Sequence, residues 1–246
     1  MTGPLNTIRP DWPAPDRVRA CTTTRTGGRS QGPYAALNLA LHVGDDPKDV
    51  MANRALLRDD AGLPAEPLWL EQVHGTDIIN ADLPGAERRA DGCYSHTAGR
   101  VCCIMTADCI PVLLCDRAGT RVAALHAGWR GLAAGILARG VEMLDCPARE
   151  LLAWLGPAIG PQAYEIDDSV RDTFTSRDPG ASAAFTPNRP GHWQADLHAL
   201  ARRALRHAGV EEVYADGHCT YTEPERFYSH RRAAPCGRMA SLIWLR

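Results

Sequence analysis

The chain carries almost no excess charge: 27 Lys and Arg stand against 29 Asp and Glu, a formal net charge of −2 over 246 residues. No strong field therefore gathers nucleic acid or an acidic lipid surface, and a polyanion binder is disfavoured. The start, Met1-Thr2-Gly3-Pro4-Leu5-Asn6, lacks a basic stretch leading into an apolar core, and no run approaches the roughly 18 apolar residues of a spanning helix. A cytoplasmic protein without a membrane partner is expected. No Cys-x-x-Cys occurs among the nine cysteines, which leaves a four-cysteine zinc ribbon or a thioredoxin-type redox pair unsupported. Their odd number also argues against a disulfide scaffold. Repeats, low-complexity tracts, a Gly-Lys-Ser/Thr phosphate loop and a Gly-x-Gly-x-x-Gly turn are all missing, so solenoids, P-loop enzymes and dinucleotide-binding sheets drop out.

What is present suits one core. At 45% hydrophobic residues the chain can fill a substantial interior, and residues 1–246 are expected to form a single domain. Val101 to Thr106, Cys109 to Cys115, Arg121 to Leu125, Leu151 to Leu155 and Met239 to Leu245 read as short buried strands, with Arg17 to Thr24 another and 116–119 a turn. Most cysteines, such as Cys102, Cys103 and Cys115, sit in such runs as small hydrophobes. Asp46 as cap, Pro47 at the first helical position and Gly62 with Pro64 beyond predict a helix over 47–61. Leu132, Ile136, Leu137, Val141 and Leu144 follow a helical period weakened by Gly135 and Gly140, and Leu197 to Ala208 gives the clearest amphipathic helix. Strands and helices mix without a steady β-α-β rhythm, which points to an α+β class.

Three segments each place a borderline or soft ligand beside a small residue: Gln72-Val73-His74-Gly75, Thr106-Ala107-Asp108-Cys109 and His126-Ala127-Gly128-Trp129-Arg130-Gly131. If the 116–119 turn pairs Cys115 with Thr120, Cys109 falls directly opposite His126, where Cβ atoms lie about 4.5–5.5 Å apart. A bulged loop would shift the register by one and separate them. Two imidazoles and a thiolate leave a fourth tetrahedral position open to water, the pattern of a catalytic zinc. His74, Cys109 and His126 are therefore the expected metal-binding and catalytic residues. His218 with Cys219 is the second-choice ligand pair, His198 flanks the amphipathic helix, and His42, His96, His192, His207 and His230 read as surface residues. Arg25 and Arg130 stand next to glycine or in a glycine-rich segment, where a guanidinium can clamp phosphate; Arg29 reads as an ordinary surface arginine.

The segments Thr24-Arg25-Thr26-Gly27-Gly28, Asn38-Leu39, His42-Val43-Gly44-Asp45, Gln72-Val73-His74-Gly75, Ala90-Asp91-Gly92, Thr106-Ala107-Asp108-Cys109, His126-Ala127-Gly128-Trp129-Arg130-Gly131 and Gly156-Pro157-Ala158-Ile159-Gly160 closely resemble the bacterial laccase-domain family. That family is also called the polyphenol oxidase or peptidoglycan editing factor family and is now described as purine nucleoside phosphorylases. The resemblance covers nearly the whole chain. It implies a layered α+β structure with mixed β-sheets between helices, and phosphorolysis of adenosine, inosine, guanosine and S-methyl-5'-thioadenosine with adenosine deamination at the same site. Nucleoside and phosphate are the implied small-molecule partners. The family's metal ligands fall on His74, Cys109 and His126, with Zn2+ expected and Cu2+ an alternative. Its phosphate-proximal arginine matches Arg25, and Asn38 and Arg130 are taken as further substrate- and phosphate-binding residues. The family's Ser-Tyr-Arg-Arg near the C-terminus is Ser229-His230-Arg231-Arg232 here.

For deamination the zinc deaminase signature His-x-Glu with Pro-Cys-x-x-Cys is missing, leaving Asp91 or Asp108 as candidate proton carriers. Three rivals stand beside the nucleoside enzyme. A multicopper laccase needs His-x-His pairs, and the chain has none. A Cys109/His126 hydrolase or editing factor acting on peptidoglycan precursors would survive metal removal. A metal that only staples the fold would be exposed by unfolding on chelation.

Overall fold

The computed structural model describes residues 5–85 and 87–246; Met1 to Pro4, where the segment read for a leader begins, and Ala86 lie outside them. In chain order the elements are β1 (Thr7–Ile8), β2 (Val18–Thr23), α1 (Pro47–Ala61), β3 (Ile78–Asn80), β4 (Gly92–Ser95), β5 (Val101–Thr106), β6 (Ile110–Asp116), β7 (Val122–Ala127), α2 (Trp129–Ala134) and α3 (Ile136–Met143). There follow β8 (Leu151–Leu155), β9 (Glu165–Asp167), α4 (Asp168–Thr175), β10 (Phe185–Arg189), β11 (His192–Ala195), α5 (Leu197–His207), β12 (Glu212–Ala215) and β13 (Met239–Leu245). The protein is α+β. Three sheets have the orders β1-β2-β13-β5, β12-β8-β6-β7-β4-β3 and β10-β11-β9, antiparallel throughout except at β12/β8 and β3/β4.

The first two sheets are layered because their strands are apolar on both faces. Along β5, Cys102 and Ile104 join a cluster with Leu113, Cys115, Val122, Ala124 and Trp154 of the larger sheet. The alternate residues Val101, Cys103 and Met105 pack instead with Leu57 of α1 and with Leu37 and Leu39. Val112, Leu114, Ala123, Leu125 and Ala153 turn the other way, onto Leu137, Val141, Leu200 and Ala201 of α3 and α5. A period of two on each strand thus builds a helix–sheet–sheet–helix stack. All nine cysteines are free, and Cys21, Cys93, Cys102, Cys103, Cys115 and Cys236 are buried.

Several expected boundaries are met. Asp46 accepts a hydrogen bond from the Lys48 N–H to open α1, and Gly62 closes it at φ +58°. Asp196 caps α5 through the Ala199 N–H. Two expectations need correction. The helix expected over 132–144 is two helices, because Gly135 sits at φ +98° and turns the chain between α2 and α3. The β6–β7 register is displaced by two residues: Cys115 faces Val122, and Pro111, not Cys109, faces His126. The cause is Asp116, whose carboxylate accepts the Thr120 and Arg121 N–H groups and the Thr120 hydroxyl, closing a longer loop than 116–119. A shift of two preserves the face, so Cys109 still lies diagonally beside His126.

Candidate metal centre

His126 lies on β7, on the same face as Val122 and Ala124, and is buried. Cys109 ends the three-residue link by which the chain leaves β5 in one sheet and enters β6 in the other, a corner that puts Asp108 at φ +93°. His74 sits at φ +60° in the loop before β3 and is exposed. The ligand atoms of these three residues all lie within 4.8 Å of one another. Cys109 Sγ is 3.8 Å from His74 Nε2, and the two imidazoles meet edge to face at 4.7 Å between centroids.

Glycine keeps this space open. A Cβ at Gly128 would lie 2.8 Å from His74 Cδ2 and 3.0 Å from Cys109 Sγ, and one at Gly131 would lie 2.7 Å from the Gly75 carbonyl oxygen. The His-Ala-Gly-Trp-Arg-Gly segment therefore supplies a ligand and then clears the room beside it.

Beneath the cluster is Asp91, fully buried. Its Oδ1 accepts the His74 N–H at 2.9 Å and lies 2.8 Å from His126 Nδ1; its Oδ2 accepts the Val73 and Gly75 N–H groups at 3.1 and 2.6 Å. Burial alone would raise this carboxyl, but the hydrogen bonds from His126, Gly75 and Val73 outweigh it and hold Asp91 below its ordinary value. Burial also opposes charge on Cys109 and His126, yet each offsets the other. The thiol is drawn down to about 6 by His126 and His74, and the His126 imidazole is raised to about 9 by Cys109 and Asp91. Once a metal displaces the proton on His126 Nε2, the three residues would offer a thiolate and two imidazoles, which suits zinc; with Nδ1 facing Asp91, Nε2 is the only nitrogen His126 has to offer.

The cluster lies in a cleft of about 420 Å³. Around it stand Trp129, Tyr164, Met105 and Ile159, and the cationic side chains Arg130, Arg231 and Arg238. His42 and His230, read from sequence as surface residues, also line it. Burial, then Arg238 and Arg54, lower the His42 pKa. Arg130 covers the Trp129 ring at 4.5 Å. Arg231 spends Nη1 on the Glu165 carbonyl, and Arg238 spends Nη1 on the carbonyls of Cys236 and Gly237.

Of the expected phosphate and substrate residues, Arg130 reaches this cleft and two do not. Arg25 donates from Nε and Nη2 to the Ala35 carbonyl and from Nη1 to the Pro224 carbonyl, so three of its N–H groups are held by backbone. Asn38 is fully buried; its amide donates to the Ala40 carbonyl and to Asp45, and its oxygen accepts the Ala40 and Arg238 N–H groups. It positions Arg238 from behind. Asp108, which lines the cleft, accepts the Thr220 hydroxyl at 2.6 Å and the Arg231 N–H at 2.7 Å, one on each oxygen, whereas each Asp91 oxygen already meets two partners. The second-choice pair lies apart: Cys219 Sγ accepts the Gly160 N–H, His218 meets Glu223 and Arg226, and His198 Nε2 faces the Gly156 carbonyl.

The comparisons agree with this architecture. Among curated proteins, the chain is 53% identical over 239 residues to Purine nucleoside phosphorylase PA4543 of Pseudomonas aeruginosa, covering 97% of this chain and 98% of that protein. It is 52% identical over 239 residues to Purine nucleoside phosphorylase YfiH of Escherichia coli, with the same coverage. The crystal structure of Neisseria meningitidis protein NMB0706 superimposes with a TM-score of 0.94 at 48% identity, covering 98% of this chain and 99% of that one. A family profile described as multi-copper polyphenol oxidoreductase laccase matches residues 19–246. On this match and on relatives more than half identical over nearly its full length, the chain belongs to the laccase-domain family.

Proposed function

We propose that the chain is a metal-dependent purine nucleoside phosphorylase with His74, Cys109 and His126 as metal ligands and catalytic residues. The observation that carries this reading is the meeting of three ligand atoms within 4.8 Å in a cationic cleft of about 420 Å³. That volume falls in the roughly 300–1,000 Å³ range of small-ligand sites. The names of the relatives supply the activity, and the fit of the donor set supports zinc, with copper an alternative. When bound by these three residues, the metal would supply Lewis acidity to the reacting groups.

The chain's own residues do the rest. Arg130, Arg231 and Arg238 hold phosphate; the last two keep Nε and Nη2 for it, the fork that a phosphate oxygen pair accepts bidentately. Trp129 and Tyr164 give flat apolar walls for a purine, with Met105 and Ile159 beside them. Phosphate attacks C1′ of the ribose as the base departs, so the work lies in orienting the two partners and neutralising phosphate charge. Adenosine, inosine, guanosine and S-methyl-5'-thioadenosine are the proposed substrates. Adenosine deamination is proposed at the same cleft, where Asp108, His42 and His230 are the proton-carrier candidates outside the triad. The nine free cysteines support a reducing, cytoplasmic setting, and no helix among the described residues is long and apolar enough to cross a membrane.

A second reading is favoured by one observation: the Cys109 thiol, drawn down to about 6 beside His126, is an activated nucleophile. One experiment separates the two. Base release from adenosine and inosine is measured with and without phosphate, on metal-loaded and metal-depleted protein. Release that needs both phosphate and metal supports the phosphorylase; no release under any condition refutes it. Hydrolysis of a thiol-hydrolase substrate that persists without metal would move Cys109 to the role of nucleophile. A laccase-type copper cluster has little support, since one three-ligand group is found among the described residues.

A further inference from the structure

We propose that Asp91 is the positioning residue that makes His74 and His126 ligands at the same time, one carboxylate fixing the backbone of the first and the tautomer of the second. The proposal rests on the metal reading above. Oδ1 is shared between the His74 N–H and His126 Nδ1, and Oδ2 between the N–H groups of Val73 and Gly75. Three successive N–H groups converging on one anion form a nest, and here the anion is a side chain of the protein itself.

His74 depends on this nest. It is exposed, and its φ of +60° is a conformation few non-glycine residues adopt. Its own N–H is engaged by Asp91, and the N–H groups on either side are too. His126 depends on the same oxygen in another way. A carboxylate only accepts, so Nδ1 must keep its proton, and Nε2, facing Cys109 and His74, is the nitrogen that can give a lone pair to a metal. The backbone adds a further tie, since the His126 N–H donates to the Asp91 carbonyl at 2.7 Å.

An amide of the same shape cannot serve both partners. In Asp91→Asn with the amide oxygen toward Val73 and Gly75, the NH2 group faces the His74 N–H and His126. His126 then presents a lone pair at Nδ1 and a proton at Nε2, the atom the metal needs. With the amide reversed, its NH2 group opposes the N–H groups of Val73 and Gly75, and the His74 loop loses two acceptors. Either orientation removes one imidazole from the ligand set.

The test titrates zinc into the full-length protein against a competing chromogenic chelator, with Asp116→Asn as control. Asp116 is likewise buried and hydrogen-bonded, but it closes the β6–β7 loop away from the cluster. Zinc affinity is expected to fall about 10- to 100-fold in Asp91→Asn and to stay within about twofold of wild type in Asp116→Asn, although both lose thermal stability. Wild-type affinity in Asp91→Asn overturns the proposal. Wild-type protein that binds no metal removes the metal reading, and this proposal with it. Should Asp91→Asn fail to fold, hydrogen exchange on metal-free wild type decides. Protection of the Val73, His74 and Gly75 amides before zinc is added is expected, and free exchange until zinc is added overturns it.

Discussion

Replacing Gly128 by alanine isolates the metal centre from the stability of the fold. Gly128 has φ −70° and ψ 160°, which any residue adopts, so no backbone strain follows. Alanine there restricts the unfolded chain, worth about 0.4–1 kcal/mol, which roughly offsets the loss of a glycine N-cap at the head of α2. The added methyl, however, would stand 2.8 Å from His74 Cδ2 and 3.0 Å from Cys109 Sγ. Ordinary carbon contacts lie at roughly 3.5–4.0 Å, so one ligand or both must retreat by close to 1 Å. A displacement of that size in a preorganised site costs on the order of 100-fold, which is about 2.7 kcal/mol. Zinc competition titration of Gly128→Ala should therefore read an affinity near one-hundredth of wild type. Thermal melting of the metal-free protein should change little. Wild-type zinc affinity in this variant would refute the placement of the three ligands, and a large drop in the metal-free melting temperature would refute the claim that the pressure falls on the site alone.

Metal uptake should weaken as pH falls. With His126 raised to about 9 and Cys109 lowered to about 6, the metal-free pair between these values is a thiolate and an imidazolium. Binding then expels one proton, and this pair makes log affinity rise by about one per pH unit; below about 6 the thiol is protonated too and the slope approaches two. Calorimetry in buffers of different ionisation enthalpy counts the protons, and release of none near pH 7.5 would contradict the assignment. Arg130→Ala should raise the KM for phosphate at least tenfold with little change in melting, and Arg238→Ala should do the same while also losing stability with its bonds to the Cys236 and Gly237 carbonyls. Arg25→Ala, which loses bonds to the Ala35 and Pro224 carbonyls, should instead cost about 2 kcal/mol of stability; a selective phosphate KM effect with unchanged stability would restore Arg25 to the anion site. Gly135→Ala places a side chain at φ +98° in open space, so it should cost about 1–2 kcal/mol of folding stability and leave zinc affinity unchanged.

Local signals were legible where a short stretch of chain decides the outcome. Asp46-Pro47 and Gly62 bound α1 because cap, fixed φ and left-handed stop all act within one helix. Strands β5 and β8 match their expected spans because both faces are buried and the apolar run is unbroken. The β6–β7 register escaped because it depends on the Asp116 side chain reaching Thr120 and Arg121, a choice made by three hydrogen bonds rather than by hydrophobic pattern. The β9–β11 sheet carries polar residues, Thr186 and Asn188 exposed and Gln194 half-buried, which leave no strong period to read. Motif proximity did not reveal that Arg25 and Asn38 stand outside the lining of the cleft. A glycine-rich neighbourhood suits an anion loop and a packed corner equally well, and only long-range contacts such as Arg25 to Pro224 distinguish them. The cleft's Tyr164, His230, Arg231 and Arg238 come from segments far from the triad in sequence, and no spacing rule links them to it.

The passage from β5 to β6 takes the chain from one sheet to the other in three residues, the last of which is Cys109. A link that short admits no slack: one inserted residue between Thr106 and Ile110 would carry the thiol off its place or pull a strand out of register, whereas the exposed turn at 190–191 joins β10 and β11 of the small third sheet. Change in length should therefore be tolerated at the periphery and rejected at this corner. The seam that joins the two sheets and the seat of the thiol are a single stretch of backbone, so a lineage altering one must keep the other.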